Sequence, residues 1–187
     1  VLVLLWARWT HDAPAAVSTS LRLMNLPPLP GVPDMLTTGQ ILVVDGAVGA
    51  EASDDLPKAE SFANDLLAPL RARATPIMDT WHAAGPVDLL QTHMDPPDPS
   101  PYAGNHILLR DLGDDGIEAF PGSAGPGSGP PPLIAELGQL GGAFPGPPAP
   151  GGALDRPSAA YVHIELAAAI PPHTSRSLGA HLPPLAT

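Results

Sequence analysis

Residues 41–79 read ILVVDGAVGAEASDDLPKAESFANDLLAPLRARATPIMD, and this stretch sets the expected fold. Ile41-Leu42-Val43-Val44 is a continuous apolar run, the pattern of a strand buried on both faces. It ends at Asp45-Gly46. Ser53-Asp54-Asp55 can cap a helix that has Pro57 in its first turn. Phe62, Leu66 and Leu70 then recur at spacing four, one apolar stripe of a helix over 56–73. Pro69 is expected to kink or shorten it. Thr75-Pro76-Ile77-Met78 reads as a second strand. A strand, a helix and a strand in this space make a βαβ unit, whose right-handed crossover implies a parallel pair.

Working outward, His106-Ile107-Leu108-Leu109 and Tyr161-Val162-His163-Ile164-Glu165-Leu166 read as further strands. Leu133, Ile134, Leu137 and Leu140 have helical spacing, and Thr174 to Leu182 could form a last helix. The expected architecture is an α/β three-layer Rossmann-like fold with a mostly parallel sheet, in which 41–47, 75–79, 106–110 and 161–166 are neighbours. Residues 1–40 are expected to be an arm packing on a core domain of residues 41–187. Val1 to Trp6 is too short to span a membrane and reads as a buried strand rather than a signal peptide.

The chain has 187 residues, 19 acidic against 8 basic, and a formal net charge of −11. An acidic surface repels phosphate backbones and anionic lipid, so neither nucleic acid nor a membrane is an expected partner. A cytoplasmic homo-oligomer acting on a small molecule is expected instead. There is no cysteine, which excludes disulfides, thiolate metal sites and a cysteine nucleophile. Gly46-x-x-Gly49 lacks the third glycine and the Lys-Ser/Thr pair that cradle phosphates, so no nucleotide is expected. With 27 Pro and 19 Gly, much of residues 95–101, 121–132 and 141–157 reads as loop.

In open parallel sheets, sites form beyond the carboxyl ends of the strands. Asp45, the group Asp79, Trp81 and His82, and the group Asp111, Asp114 and Asp115 fall there, with His93 in a loop between. A carboxylate with two imidazoles can hold a divalent zinc, iron or manganese ion, which makes Asp79, His82 and His93 candidate ligands. His163 and Glu165 alternate with apolar residues, which suits a half-buried edge strand.

In order, several pieces resemble the nicotinamidase branch of the isochorismatase-like hydrolases. ILVVDGAVGAEASDDLPKAESFANDLLAPLRARA resembles that family's first strand, catalytic Asp and first helix, and TPIMDTWH its metal-binding strand end. LLRDLGDDGIEAFPGSAGPGSGPPPLIAELGQLG and AYVHIELAAAIPPHTSRSLGAHL resemble its catalytic-lysine stretch and its last strand, turn and helix. The resemblance spans residues 41–182. It implies that Asp45 is the general base and that Asp79, His82 and His93 hold the metal. Asp111, or Arg110, occupies the lysine position. The family spaces its ligand pair as D-x-H, whereas here two residues separate Asp79 and His82. Its nucleophilic cysteine would fall in 141–157, where Ala149 or Ala153 stands. The implied function is a metal-containing hydrolase that cleaves the amide of a small molecule such as nicotinamide. The alternatives are an isochorismatase-like hydrolase using Asp45 without a cysteine, and a non-catalytic oligomeric binding module.

Overall fold

The computed structural model describes residues 1–28, 31–50, 52–95, 102–123, 132–141 and 159–168. The expected helix 174–182 and nearly all of 141–157 lie outside them. The described chain forms α1 (Leu2–His11), β1 (Val17–Met24), β2 (Ile41–Val48), α2 (Leu56–Arg71), β3 (Tyr102–Leu109), α3 (Gly113–Ser123), β4 (Ile134–Gln139) and β5 (Tyr161–Ala168). The strands make one sheet in the order β2-β1-β4-β5-β3. Every pairing in it is antiparallel.

This corrects the expected parallel Rossmann-like sheet. β2 is an edge strand whose neighbour is β1, from the segment read as an arm. Thr75 to Asp79 forms no strand. The chain leaving α2 instead continues to β3 on the opposite edge, so the expected βαβ unit of adjacent parallel strands over 41–79 does not form. β2 and β3 run the same way but are separated by β1, β4 and β5. The apolar run of β2 reflects an edge strand half-buried on both faces, rather than a central strand.

α1 replaces the strand expected at the start. Val3, Trp6, Ala7 and Thr10 recur at the i, i+3, i+4, i+7 spacing of one helix face, and all four are buried. β1 is a period-two strand: Val17, Thr19, Leu21 and Leu23 share one face, and Ser18, Ser20, Arg22 and Met24 the other. α2 follows a tight turn at Ser53–Asp55 and has Pro57 in its first turn, though no side chain caps it. Pro69 lies inside the last turn of the helix, which ends at Arg71, two residues short of the expected end. Residues 134–139, expected to be helical, form β4, with Ala135, Leu137 and Gln139 facing one way and Ile134, Glu136 and Gly138 the other.

The core lies between the three helices and one face of the sheet. Trp6, Leu21 and Leu137 are its most buried large side chains, joined by Leu66, Leu67 and Phe120. The architecture is thus a two-layer α+β domain. Two polar links run through this layer. The Trp6 indole N–H donates to Thr19 Oγ1 (3.1 Å), which donates to Gln139 Oε1 (3.1 Å). Thr10 Oγ1 and the Tyr161 hydroxyl are 3.0 Å apart. Burial raises the Tyr161 pKa above its ordinary value, and the Thr10 contact partly offsets this. Among the described residues no helix is long and apolar enough to cross a membrane.

Candidate acid–base site on the sheet face opposite the helices

The face of the sheet opposite the helices carries a polar cluster. Its position follows from the strand register. Ser20 of β1 lies opposite Asp45 of β2 on one side and Gly138 of β4 on the other. Arg22, two residues along, lies opposite Glu136 of β4. Directly paired residues of antiparallel strands point to the same face, so Asp45, Ser20, Arg22 and Glu136 converge.

Ser20, Arg22 and Asp45 are buried. The Ser20 hydroxyl donates to Asp45 Oδ1 (2.6 Å), and Arg22 Nη2 donates to Asp45 Oδ2. Both carboxylate oxygens are therefore engaged, and the buried charge of each partner is matched by the other. Gly46 fixes where this part of β2 sits. It has a φ of +143°, and a Cβ there would lie 2.2 Å from the Ser18 carbonyl oxygen, so only glycine permits this approach of β2 to β1.

Two more accessible groups stand over this floor. Glu136 is half-buried, and a Cβ on Gly138 would lie 3.7 Å from its Oε1, so the carboxyl lies along the strand over the glycine. It interacts there with Ser20. Burial pushes the Glu136 pKa up, and Asp45 adds to the effect. His93, Arg22 and Ser20 oppose it without cancelling it. The Ser20 hydroxyl has one proton, which it directs at Asp45. A protonated Glu136 can donate to the free lone pairs of the same oxygen.

His93 enters from the loop after α2. Its Nδ1 lies 3.4 Å from Asp45 Oδ2, and its backbone carbonyl accepts a hydrogen bond from Arg22 Nη2 (3.2 Å). One guanidinium thus holds both the buried carboxylate and the backbone that presents the imidazole. The next residue, Met94, has a φ of +50°, the sole positive value at a non-glycine among the described residues. A strained turn beside a polar cluster is a common feature of functional loops. Upstream, this loop crosses the β2 edge, where the Trp81 indole N–H donates to the Val44 carbonyl (3.3 Å).

Of the residues singled out in the sequence, Asp45 and His93 meet in this cluster. Asp79 takes a different partner: Arg71 Nε and Nη2 donate to its two oxygens at 2.8 and 3.0 Å, which lowers its pKa below the usual carboxylate range. His82 is exposed, with Nδ1 2.6 Å from the Thr80 carbonyl oxygen. Asp111 accepts from the Gly113 N–H (3.2 Å) at the start of α3, and its charge acts on Tyr161. Among the described residues, no group of three or more His, Cys, Asp or Glu is arranged to hold a metal ion. His163 is on an inner strand rather than at an edge, with Nδ1 3.0 Å from the Glu136 carbonyl oxygen and Nε2 3.2 Å from Glu165 Oε1.

Ser20, Arg22 and Glu136 were not anticipated. The alternation Val17-Ser18-Thr19-Ser20-Leu21-Arg22-Leu23 carried the signal for the first two, because it places both on one face of a strand. Fold and cluster together define a small α+β domain with a buried ion pair beneath an acid and an imidazole. No family model matches the sequence, and no curated protein shows significant similarity to it.

Proposed function

We propose that this chain hydrolyses a small polar molecule by general acid–base chemistry, with Glu136 as the acid and His93 as the base. The observation that carries this reading is the placing of the half-buried Glu136 carboxyl and the His93 imidazole over the buried Arg22–Asp45 pair, where burial also raises the Glu136 pKa. Perturbed carboxyls next to an imidazole are characteristic of catalytic clusters. A carboxyl that keeps its proton above the ordinary range can protonate a leaving group. An imidazole is the side chain best suited to take a proton from water near neutral pH. Asp45 and Arg22 are positioning residues here. Asp45 has both oxygens engaged, so it orients Ser20 and His93 and abstracts nothing itself. This retains a small-molecule hydrolase near Asp45 and assigns the proton transfers to its neighbours.

The test is a panel of small amides and esters, nicotinamide among them, assayed across pH. Turnover is expected to depend on pH and to fall sharply in His93→Gln, while Glu136→Gln should lose the part of the pH dependence that the buried carboxyl sets. Unaltered rates in both variants, or no turnover of any panel member, would overturn the proposal. Binding without turnover, seen as shifts in the Glu136 and His93 resonances, would reassign the cluster to a binding module.

A further inference from the structure

We infer that β3 pairs with the β3 of a second copy of this chain, joining two five-stranded sheets into one. The two edges of the sheet differ. β2 is crossed by the loop that carries Trp81, whose indole occupies an edge carbonyl. β3 pairs with β5 on one side, and among the described residues no strand pairs with its other side. Natural edge strands are usually protected by lysine, proline, a bulge or shortness. β3 has none of these: eight residues, YAGNHILL, run in unbroken register with β5 and include no Asp, Glu, Lys, Arg or Pro. In a chain of net charge −11, this is a strip along which two copies can approach without opposing carboxylates.

The peptide orientation of the edge can be read from two bonds. The Leu109 carbonyl faces β5, since it accepts from the Ala160 N–H (2.9 Å). Peptide groups alternate along a strand, so those of Tyr102, Gly104, His106 and Leu108 face outward. Accordingly, among the described residues the His106 N–H donates to the neighbouring Asn105 Oδ1 (2.9 Å) and not to a strand. A two-fold axis at Asn105 then makes the edge self-complementary. Gly104 of one copy meets His106 of the other, and Tyr102 meets Leu108, through paired backbone bonds. Tyr102 and Leu108 are both large, apolar and on the same face, and they are 64% and 48% exposed. The dyad covers each with the other. Asn105 meets its own symmetry mate in the close, non-hydrogen-bonded type of pair.

The absence of cysteine makes the register directly testable. Asn105→Cys is expected to form an oxidised dimer, because Cα atoms of such a pair lie about 4.5 Å apart, within reach of a disulfide. Tyr102→Cys is the matched control. Its two copies would lie about 20 Å apart, at six residues of about 3.4 Å each, and should not link. Light scattering over a concentration series should show a dimer of the unmodified chain. Tyr102→Glu with Leu108→Glu should shift that equilibrium to monomer, and Tyr102→Lys with Leu108→Glu should restore it. A monomer at every concentration up to the solubility limit would overturn the inference. So would a dimer in which Asn105→Cys fails to link or Tyr102→Cys links equally well.

Discussion

Arg22 and Asp45, on adjacent strands, form an ion pair whose side chains are only 5% and 9% exposed. Their value depends on each other. Removing one partner leaves an uncompensated buried charge, which typically costs about 3–5 kcal/mol. Arg22→Met and Asp45→Leu should each lower stability by that order in denaturant titrations. The double variant should be distinctly less damaged than the sum of the two, because no lone charge remains. Additive losses would show that the pair is not coupled.

Glu136 has the opposite relation to its surroundings. Its folded pKa is raised, so the folded state binds this proton more tightly than the unfolded chain does. Its contribution is fully favourable below the unfolded value, about 4.3, and is lost as pH rises through the folded value. Glu136→Gln should therefore gain stability relative to the parent as pH rises through that window, with the advantage persisting at neutral pH. The same variant should lose hydrolytic activity. A gain in stability with a loss in function is the mark of a destabilised functional group. A pH-independent stability difference would contradict the burial of this carboxyl.

Asp79 should behave as a surface group. Its bidentate pairing with Arg71 lowers its folded pKa, so its stabilisation is present above the unfolded value and fades as pH falls through the folded one. The side chains are 38% and 32% exposed for Arg71 and Asp79, and solvent screens such a pair. Asp79→Asn should cost below about 1 kcal/mol at neutral pH and nothing in strong acid. Hydrolysis should continue in this variant. A large loss of activity would bring Asp79 back into the site.

Trp6 anchors α1 in the core and is fully buried. Trp6→Ala should cost about 3–5 kcal/mol. Thr19→Val should cost about 1–3 kcal/mol, because it strands the indole N–H and removes a partner of Gln139. Near-parent stability of Trp6→Ala would place α1 outside the core.

The extended character of β2, β3 and β5 and the apolar stripe of α2 were legible in the sequence because each depends on local periodicity. Strand direction was not. An apolar run such as Ile41 to Val44 looks the same whether it lies in the middle of a parallel sheet or at an edge covered on both sides by different things. β1 was overlooked because it lay in the stretch set apart as an arm, although the alternation of Ser18, Ser20 and Arg22 with Val17, Thr19, Leu21 and Leu23 is a strand's. β4 was read as helix because Leu133, Ile134, Leu137 and Leu140 fit both periods over so short a span. Asp45 and His93 were recognisable as polar groups near strand ends. Their partners were not, because the strand that brings Arg22 to Asp45 and Glu136 lay in the segment set apart as an arm.

The placement of β1 between β2 and β4 bears on how the chain reaches this state. Leu21 pairs with Leu137, and Thr10 meets Tyr161, 151 positions later. During synthesis, β1 and β2 can form only a two-stranded hairpin, which is marginal in water on its own. α1 can pack on β1 and α2 as they emerge, but the contacts of Thr10 and Trp6 with Tyr161 wait for β5. Contacts this distant make for slow folding and a long interval in which apolar surface is unprotected. A nascent chain arrested before residue 134 should therefore remain open to proteases and dependent on chaperones, and its resistance should appear abruptly once residue 168 has emerged.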